Sequence, residues 1–339
     1  MKQGSINYVL LDKQQYYHSK INLKHQISGS KNSSKTLFFS WIILYLMTIL
    51  VLIANFPKKS LMLKKCQLCS FDNSGKFSST KRDLVITFTT KYHEGLGLLI
   101  RSLRTSGSHA TIVIITTPLV KIPEDLFMCD INQIIVTKET SRIAKSPYKA
   151  RWEFYYDYLK NHISEYDRVF HCDAFDSFFF EDPFVHIYDQ STLYFQMEDR
   201  SIRSCPYNKQ WLLSCHYNCN RSQILSKTIA CSGSLGGGIH PFIDFVFRMI
   251  THDEWSICWD RGFDQGDLNY ILYTSVFPYN ISLMNCYSGF ITMQYCMKKL
   301  TFVNGSSVSK NDKSQIFFAH QYNRHKTIKD YIYRICHQR

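Results

Sequence analysis

Three observations predict an α/β fold with a mainly parallel sheet flanked by helices. From residue 83 onward, short apolar, β-branched runs alternate with stretches of helical spacing and length. The runs are continuously apolar rather than alternating, as strands buried on both faces of a parallel sheet require. The composition, 45% hydrophobic and 20% charged over 339 residues, is that of a globular chain with a sizeable core.

The elements follow in order. Residues 1–35 form a polar tail with Lys2, Lys13, Lys20, Lys24, Lys31 and Lys35 against one acid, Asp12. Next comes "TLFFSWIILYLMTILVLIANF", 36–56, uncharged and long enough as a helix to cross a hydrocarbon core of roughly 30 Å. The tail is too long for a signal-peptide n-region, and "NFPKKS" follows where a small-residue cleavage site would stand. The expectation is therefore a single transmembrane helix acting as an uncleaved signal anchor. Residues 57–80, rich in Ser and Lys, read as a stem, and 81–339 as one folded domain.

Lysines flank the apolar segment almost equally, so the positive-inside rule does not orient it. The cysteines do. All 12 lie after the segment, beginning at Cys66, as do the sequons at Asn220 (NRS), Asn280 (NIS) and Asn304 (NGS). Both features belong to an oxidising compartment. They predict a single-pass type II membrane protein with a luminal domain, placed in the Golgi with the endoplasmic reticulum as second choice. "CQLC" at 66–69 reads either as half a zinc site or as two disulfide partners.

Within the domain, "DLVITFTT" (83–90) predicts the first strand, "HEGLGLLIRSLRTSG" a helix with a glycine stop, and "ATIVIITT" and "INQIIVT" two further strands. "PYKARWEFYYDYLKNHI" predicts an aromatic helix opened by Pro147. "DRVFHC" is the next strand, "STLYFQM" another, and "TIACSGSLGGGIHPFIDFVFRMI" a strand, glycine turn and helix. "DQGDLNYILYTSV" predicts a helix with Leu268, Ile271 and Leu272 inward, and "SQIFFAHQYNRHK" a last strand and loop. The net charge is +13, but Lys and Arg are scattered rather than massed. Nucleic acid is not expected as a partner; a phosphate-bearing substrate is.

The chemistry-bearing residues sit at strand ends, where ligands of open α/β sheets bind. "HCDAFDSFFFEDPF" (171–184) places Asp173 and Asp176 three residues apart just past a buried strand. Two carboxylates there repel unless a cation joins them, and hard divalent ions take oxygen ligands and leave positions for phosphate. Capping a turn, or an ion pair with Arg168, would account for them equally. His320 ends the last strand in H-x-x-N-x-x-K with Asn323 and Lys326, as a metal ligand or a core histidine. Ser232 and Gly233 begin a glycine-rich turn that admits a close ligand. Asp264 and Gln265 open a helix, as an N-cap or as substrate contacts.

Taken in order, these pieces resemble the GT-A class of nucleotide-sugar glycosyltransferases, most nearly its glycogenin-like retaining branch. The resemblance spans roughly residues 83–328, and D-Q-G-x-L-N (Asp264, Gln265, Gly266, Leu268, Asn269) is its most specific element. It implies a Rossmann-like GT-A domain and transfer of a hexose from a UDP-sugar to a glycan or glycoprotein. Asp173, Asp176 and His320 would then hold Mn2+ or Mg2+. Thr87, Phe88 and Thr89 would hold uridine, Arg151 would touch the nucleotide, and Lys326 the diphosphate. Ser232, Gly233, Asp264 and Gln265 would line the donor sugar. The chain departs from the family pattern at three places: the acids are spaced by three rather than two, Cys231 stands where Asn is usual, and Asn323 where Gly is usual. The alternative is a degenerate GT-A protein that binds glycans or scaffolds partners without catalysis.

Overall fold

The structure is a computed structural model, and it describes residues 41–48, 66, 69, 78–137, 140–215, 221–257, 259, 263–296, 300–303, 306–309 and 315–336. The chain divides into two compact units, Met1–Ser60 and Leu61–Arg339. In the first, only one helix, α1 (41–48), is described, with Trp41, Ile43 and Leu44 exposed. The expected transmembrane helix is thereby corrected: among the described residues no helix is long and apolar enough to cross a membrane. The rest of 36–56 lies outside the described residues, as does the tail.

The second unit holds the strands and helices β1 (Asp83–Thr89), α2 (Glu94–Thr105), β2 (Thr111–Thr116), α3 (Glu124–Phe127), β3 (Ile131–Ile135), α4 (Thr140–Lys145), α5 (Pro147–Asn161), β4 (Arg168–Cys172) and β5 (Ser177–Phe179). It continues with β6 (Thr192–Ser201), α6 (Pro206–Cys215), α7 (Arg221–Leu225), β7 (Thr228–Gly238), α8 (Ile239–Ile250), α9 (Asp253–Ile257) and α10 (Asp264–Thr274). It ends with β8 (Asn280–Met284), β9 (Phe290–Thr292), α11 (Met293–Cys296), β10 (Leu300–Val303), β11 (Ser306–Ser309), β12 (Phe318–His320) and α12 (Lys326–Cys336).

Seven strands form the main sheet in the order β3-β2-β1-β4-β7-β6-β8. The β3-β2-β1-β4 half is parallel, and β8 runs parallel to β6. β7 runs antiparallel to both β4 and β6, so the sheet is mixed around a parallel core. Successive residues of β1 point to opposite faces, as pleating demands. Leu84 and Ile86 meet Trp152 and Leu159 of α5 and Phe242 and Phe245 of α8 on one face. Val85 meets Leu96, Leu99 and Leu103 of α2 on the other. Each such side chain contributes about 1.5–3 kcal/mol by leaving water, so both apolar layers anchor the strand ends that carry the site.

A second sheet, β5-β12-β9, crosses the end of the first. β12 pairs antiparallel with β5, with His320 opposite Ser177. Phe178 and Phe179 of β5 are buried in different apolar clusters, on opposite faces of this strand. That register places His320 beside Asp176, although the two are far apart in the chain.

The "SGSLGGG" stretch is not the expected turn. It is continuous strand β7, and its glycines admit close neighbours: a β-carbon at 236 would press on Phe170 and Ile187, and one at 238 on the backbone of Gln190. "CQLC" is not half a zinc site. Cys66 and Cys336, Cys69 and Cys129, and Cys286 and Cys296 stand at disulfide distance, with Cα separations of 4.5, 4.7 and 5.4 Å. Asn280 is exposed at the start of β8; Asn220 and Asn304 lie outside the described residues.

Candidate metal centre and its cavity

Asp173 follows β4 directly. Its N–H donates to the Gly233 carbonyl across to β7 (2.9 Å), which fixes the backbone where the strand ends. Asp176 follows in the turn into β5, and His320 closes β12. One donor atom from each lies within 4.8 Å of the others. His320 Nε2 is 3.1 Å from Asp173 Oδ2 and 3.5 Å from Asp176 Oδ1. Neighbouring ligands of an octahedral cation, each at about 2.1 Å, stand about 3 Å apart. Two carboxylates and one imidazole at this spacing fit a hard divalent ion. The His320 side chain is 2% exposed, Asp176 16% and Asp173 29%, so the acids open outward while the imidazole is fixed in the core.

Asp173 does not pair with Arg168. That residue binds Asp83 at 2.6 Å, at the opposite end of the strands. The cation beside Asp173 is Arg151, from α5. Its guanidinium donates to Asp173, to Asp264 (Nε to Oδ2, 3.1 Å) and to the Ser232 carbonyl (3.0 Å). The Trp152 indole N–H also donates to Asp264 (2.6 Å). Asp264 is thus the first residue of α10 without capping it; the N-cap position is Phe263. Burial would raise the Asp173 carboxyl, but Arg151 and His320 hold it well below the usual carboxylate range. At Asp264 burial prevails over the same guanidinium and the carboxyl is raised.

Gln265 is held from three sides. It accepts from the Ser232 N–H (3.0 Å) and donates to Asn208 Oδ1 (2.7 Å) and Glu198 Oε1 (3.2 Å). Asn269, one turn on, exchanges both bonds with the Ala230 backbone at 2.8 Å and so clamps α10 to β7. This clamp explains two positions of D-Q-G-x-L-N. Gly266 explains a third, since a β-carbon there would press on the Trp211 backbone. Glu198 is buried with Oε2 unpartnered, and burial pushes its carboxyl up to about 7. His171, under the site, is driven down to about 3 by burial and Arg151; its neutral ring lies with Nε2 3.0 Å from the Ser232 carbonyl.

These groups open on one cavity of about 650 Å³. Of the residues singled out in the sequence, Phe88, Thr89, Arg151, Asp173, Asp176, Ser232, Gly233, Asp264, Gln265 and His320 line it. Two expected residues do not. Thr87 is buried and donates to the Cys172 carbonyl (2.8 Å), and Lys326 is exposed at the start of α12. Asn323 and Arg324 reach the cavity instead, with Lys91 and His93 on the far side. Sequence reasoning also missed Tyr148, Trp211 and Phe263 at the rim. Tyr148 sits three residues before Arg151 in the same helix and Phe263 directly before Asp264, signals that were available; Trp211 lies in a segment without a motif. Neither protein-family models nor curated proteins yield a match to this chain.

Proposed function

We propose that the chain is a metal-dependent glycosyltransferase that moves a hexose from a UDP-sugar to a glycan or glycoprotein acceptor. The observation that supports it most is the convergence of Asp173, Asp176 and His320 in a cavity that also receives Asp264 and Gln265. The acids would hold a Mn2+ or Mg2+ ion, which supplies Lewis-acid stabilisation to a leaving diphosphate. Arg324 and Lys91 add fixed positive charge at the mouth, where negative charge develops. Gln265, immobilised by three neighbours, forms a fixed part of the wall against which a donor sugar would lie. Arg151 holds the Asp264 carboxyl in place at the wall of the same space. The paired cysteines favour an oxidising lumen of the secretory pathway.

One observation favours a second reading, a glycan-binding module without catalysis. Arg151 already neutralises both Asp173 and Asp264, so the acid cluster is tolerable as a structural ion pair.

A single experiment decides. The full chain is incubated with Mn2+ and a panel of UDP- and GDP-sugars, and nucleotide release is followed. Release that disappears in Asp176→Ala and His320→Ala supports the transferase; nucleotide-sugar binding with no release supports the binding module. No metal-dependent nucleotide binding would overturn the metal centre and the transferase built on it.

A further inference from the structure

Three aromatic side chains from three segments meet at the cavity rim. Tyr148 comes from the first turn of α5, Trp211 from α6, and Phe263 from the residue before α10. Phe263 lies between the other two, with ring centroids 5.0 Å from Tyr148 and 4.7 Å from Trp211. Tyr207 extends the row, 6.2 Å from Trp211. Unlike the core aromatics, Tyr148 is 47% exposed, Phe263 41% and Tyr207 64%.

Their placement selects the ligand. All three lining rings are on the side of the cavity formed by Asp264 and Gln265, because each belongs to α5, α6 or the start of α10. The cations Lys91 and Arg324, with His93, also line the cavity. Three aromatic rings, two of which also carry a hydroxyl or an indole N–H, suit a ligand that is apolar on one face and polar around its rim. A pyranose ring is such a ligand: its axial C–H bonds form an apolar patch, and its hydroxyls radiate sideways. Tyr and Trp also lose little conformational freedom on binding.

We propose that Tyr148, Phe263 and Trp211 form a platform for a neutral pyranose residue of the acceptor glycan, seated at the mouth of the cavity. The platform rests on the transferase reading for its word "acceptor", but not for its carbohydrate chemistry. It holds the sugar by stacking, and the ring's hydroxyl edge faces Gln265 and Asp264.

The test uses the full chain and two titrations. In the first, UDP with Mn2+ is titrated by calorimetry. In the second, methyl pyranosides of glucose, galactose, mannose, xylose and N-acetylglucosamine, and lactose, are titrated with and without UDP and Mn2+. Tryptophan fluorescence and saturation-transfer NMR are the readouts. At least one pyranoside should bind saturably. The quench should vanish in Trp211→Phe, where NMR still detects binding. Phe263→Ala and Trp211→Ala should weaken the NMR-detected affinity by about tenfold, the loss of one well-packed aromatic contact. A proline-rich peptide, titrated in the same way as a control, that binds where no pyranoside does would overturn the proposal. So would saturable binding that Phe263→Ala and Trp211→Ala leave unchanged, or no saturable binding at all. Absence of UDP binding beside saturable pyranoside binding defeats the transferase reading while supporting the platform. UDP binding without pyranoside binding does the reverse.

Discussion

The His320 imidazole occupies the space where a β-carbon on residue 233 would stand. Gly233 is therefore what lets β12 lie over β7 and bring a nitrogen ligand to Asp173 and Asp176. Gly233→Ala should push the ring away. Mn2+ affinity, read by electron paramagnetic resonance, is expected to fall about 10- to 100-fold. Overpacking should cost roughly 1–3 kcal/mol in urea denaturation. Unchanged Mn2+ binding would show that His320 is not a ligand.

Arg151 joins the buried Asp264 to the half-buried Asp173, and its loss leaves both uncompensated. Arg151→Met is expected to destabilise by about 3–5 kcal/mol, the scale for breaking a buried ion pair from one side. Asp264→Asn alone should cost less, because Arg151 keeps Asp173 and the Ser232 carbonyl. Chemical denaturation of the two variants checks the order. If Asp264→Asn proves the more damaging, the network is organised around Asp264 and its indole partner rather than around the guanidinium.

Much of this was legible before the fold was known, and the reason is local. The parallel strands announced themselves as short apolar runs, and Asp173, Asp264 and His320 fell at their ends or at a helix start. What could not be read were relations between distant segments. Nothing in "SGSLGGG" says strand rather than turn; the distinction lies in Phe170, Ile187 and Gln190 pressing on it from elsewhere. Likewise Lys326 seemed the phosphate contact by spacing, yet a short helical turn at Tyr322–Arg324 sends Arg324 to the cavity and leaves Lys326 outside. Of the apolar span at 36–56 the structure describes only the helix at 41–48, which is too short to cross a membrane.

Glu198 predicts a pH dependence of stability. Its carboxyl rises on folding from 4.5 to about 7, because burial disfavours the anion. The stabilising neutral form is fully present below pH 4.5 and is lost as pH rises through 7. The wild type should thus lose roughly 3 kcal/mol between pH 4.5 and 8 relative to Glu198→Gln, whose amide stays neutral. Urea titrations of both proteins across that range test the sign. A wild type that gains on the variant with rising pH would contradict it.

The Cys66–Cys336 pair ties the residues before β1 to the end of α12, closing a loop of 270 residues. Its removal in Cys66→Ala/Cys336→Ala should lower stability by about 2–5 kcal/mol. Reductant should lower the melting temperature of the wild type further, because two other pairs open as well. Differential scanning calorimetry with and without dithiothreitol gives both numbers. A double variant that melts with the wild type under oxidising conditions would show that the pair contributes nothing.

Cys231 stands where the resembling family carries Asn, and its position gives it a different task. Its Sγ lies 3.3 Å from His320 Nδ1, on the side of the ring away from the acids. Burial raises the thiol above its ordinary range, so it is neutral. If Nε2 faces a cation, Nδ1 carries the hydrogen and donates it to sulfur, which fixes both tautomer and ring orientation. Cys231→Ala removes that acceptor and leaves a buried N–H without a partner. Mn2+ affinity should fall by about tenfold. Cys231→Ser supplies a shorter oxygen acceptor and should recover part of the loss, provided the ring can tilt toward it. An alanine variant that binds Mn2+ as tightly as the wild type would mean that the core packing around His320, with Gly233 beneath it, holds the imidazole without help from the thiol.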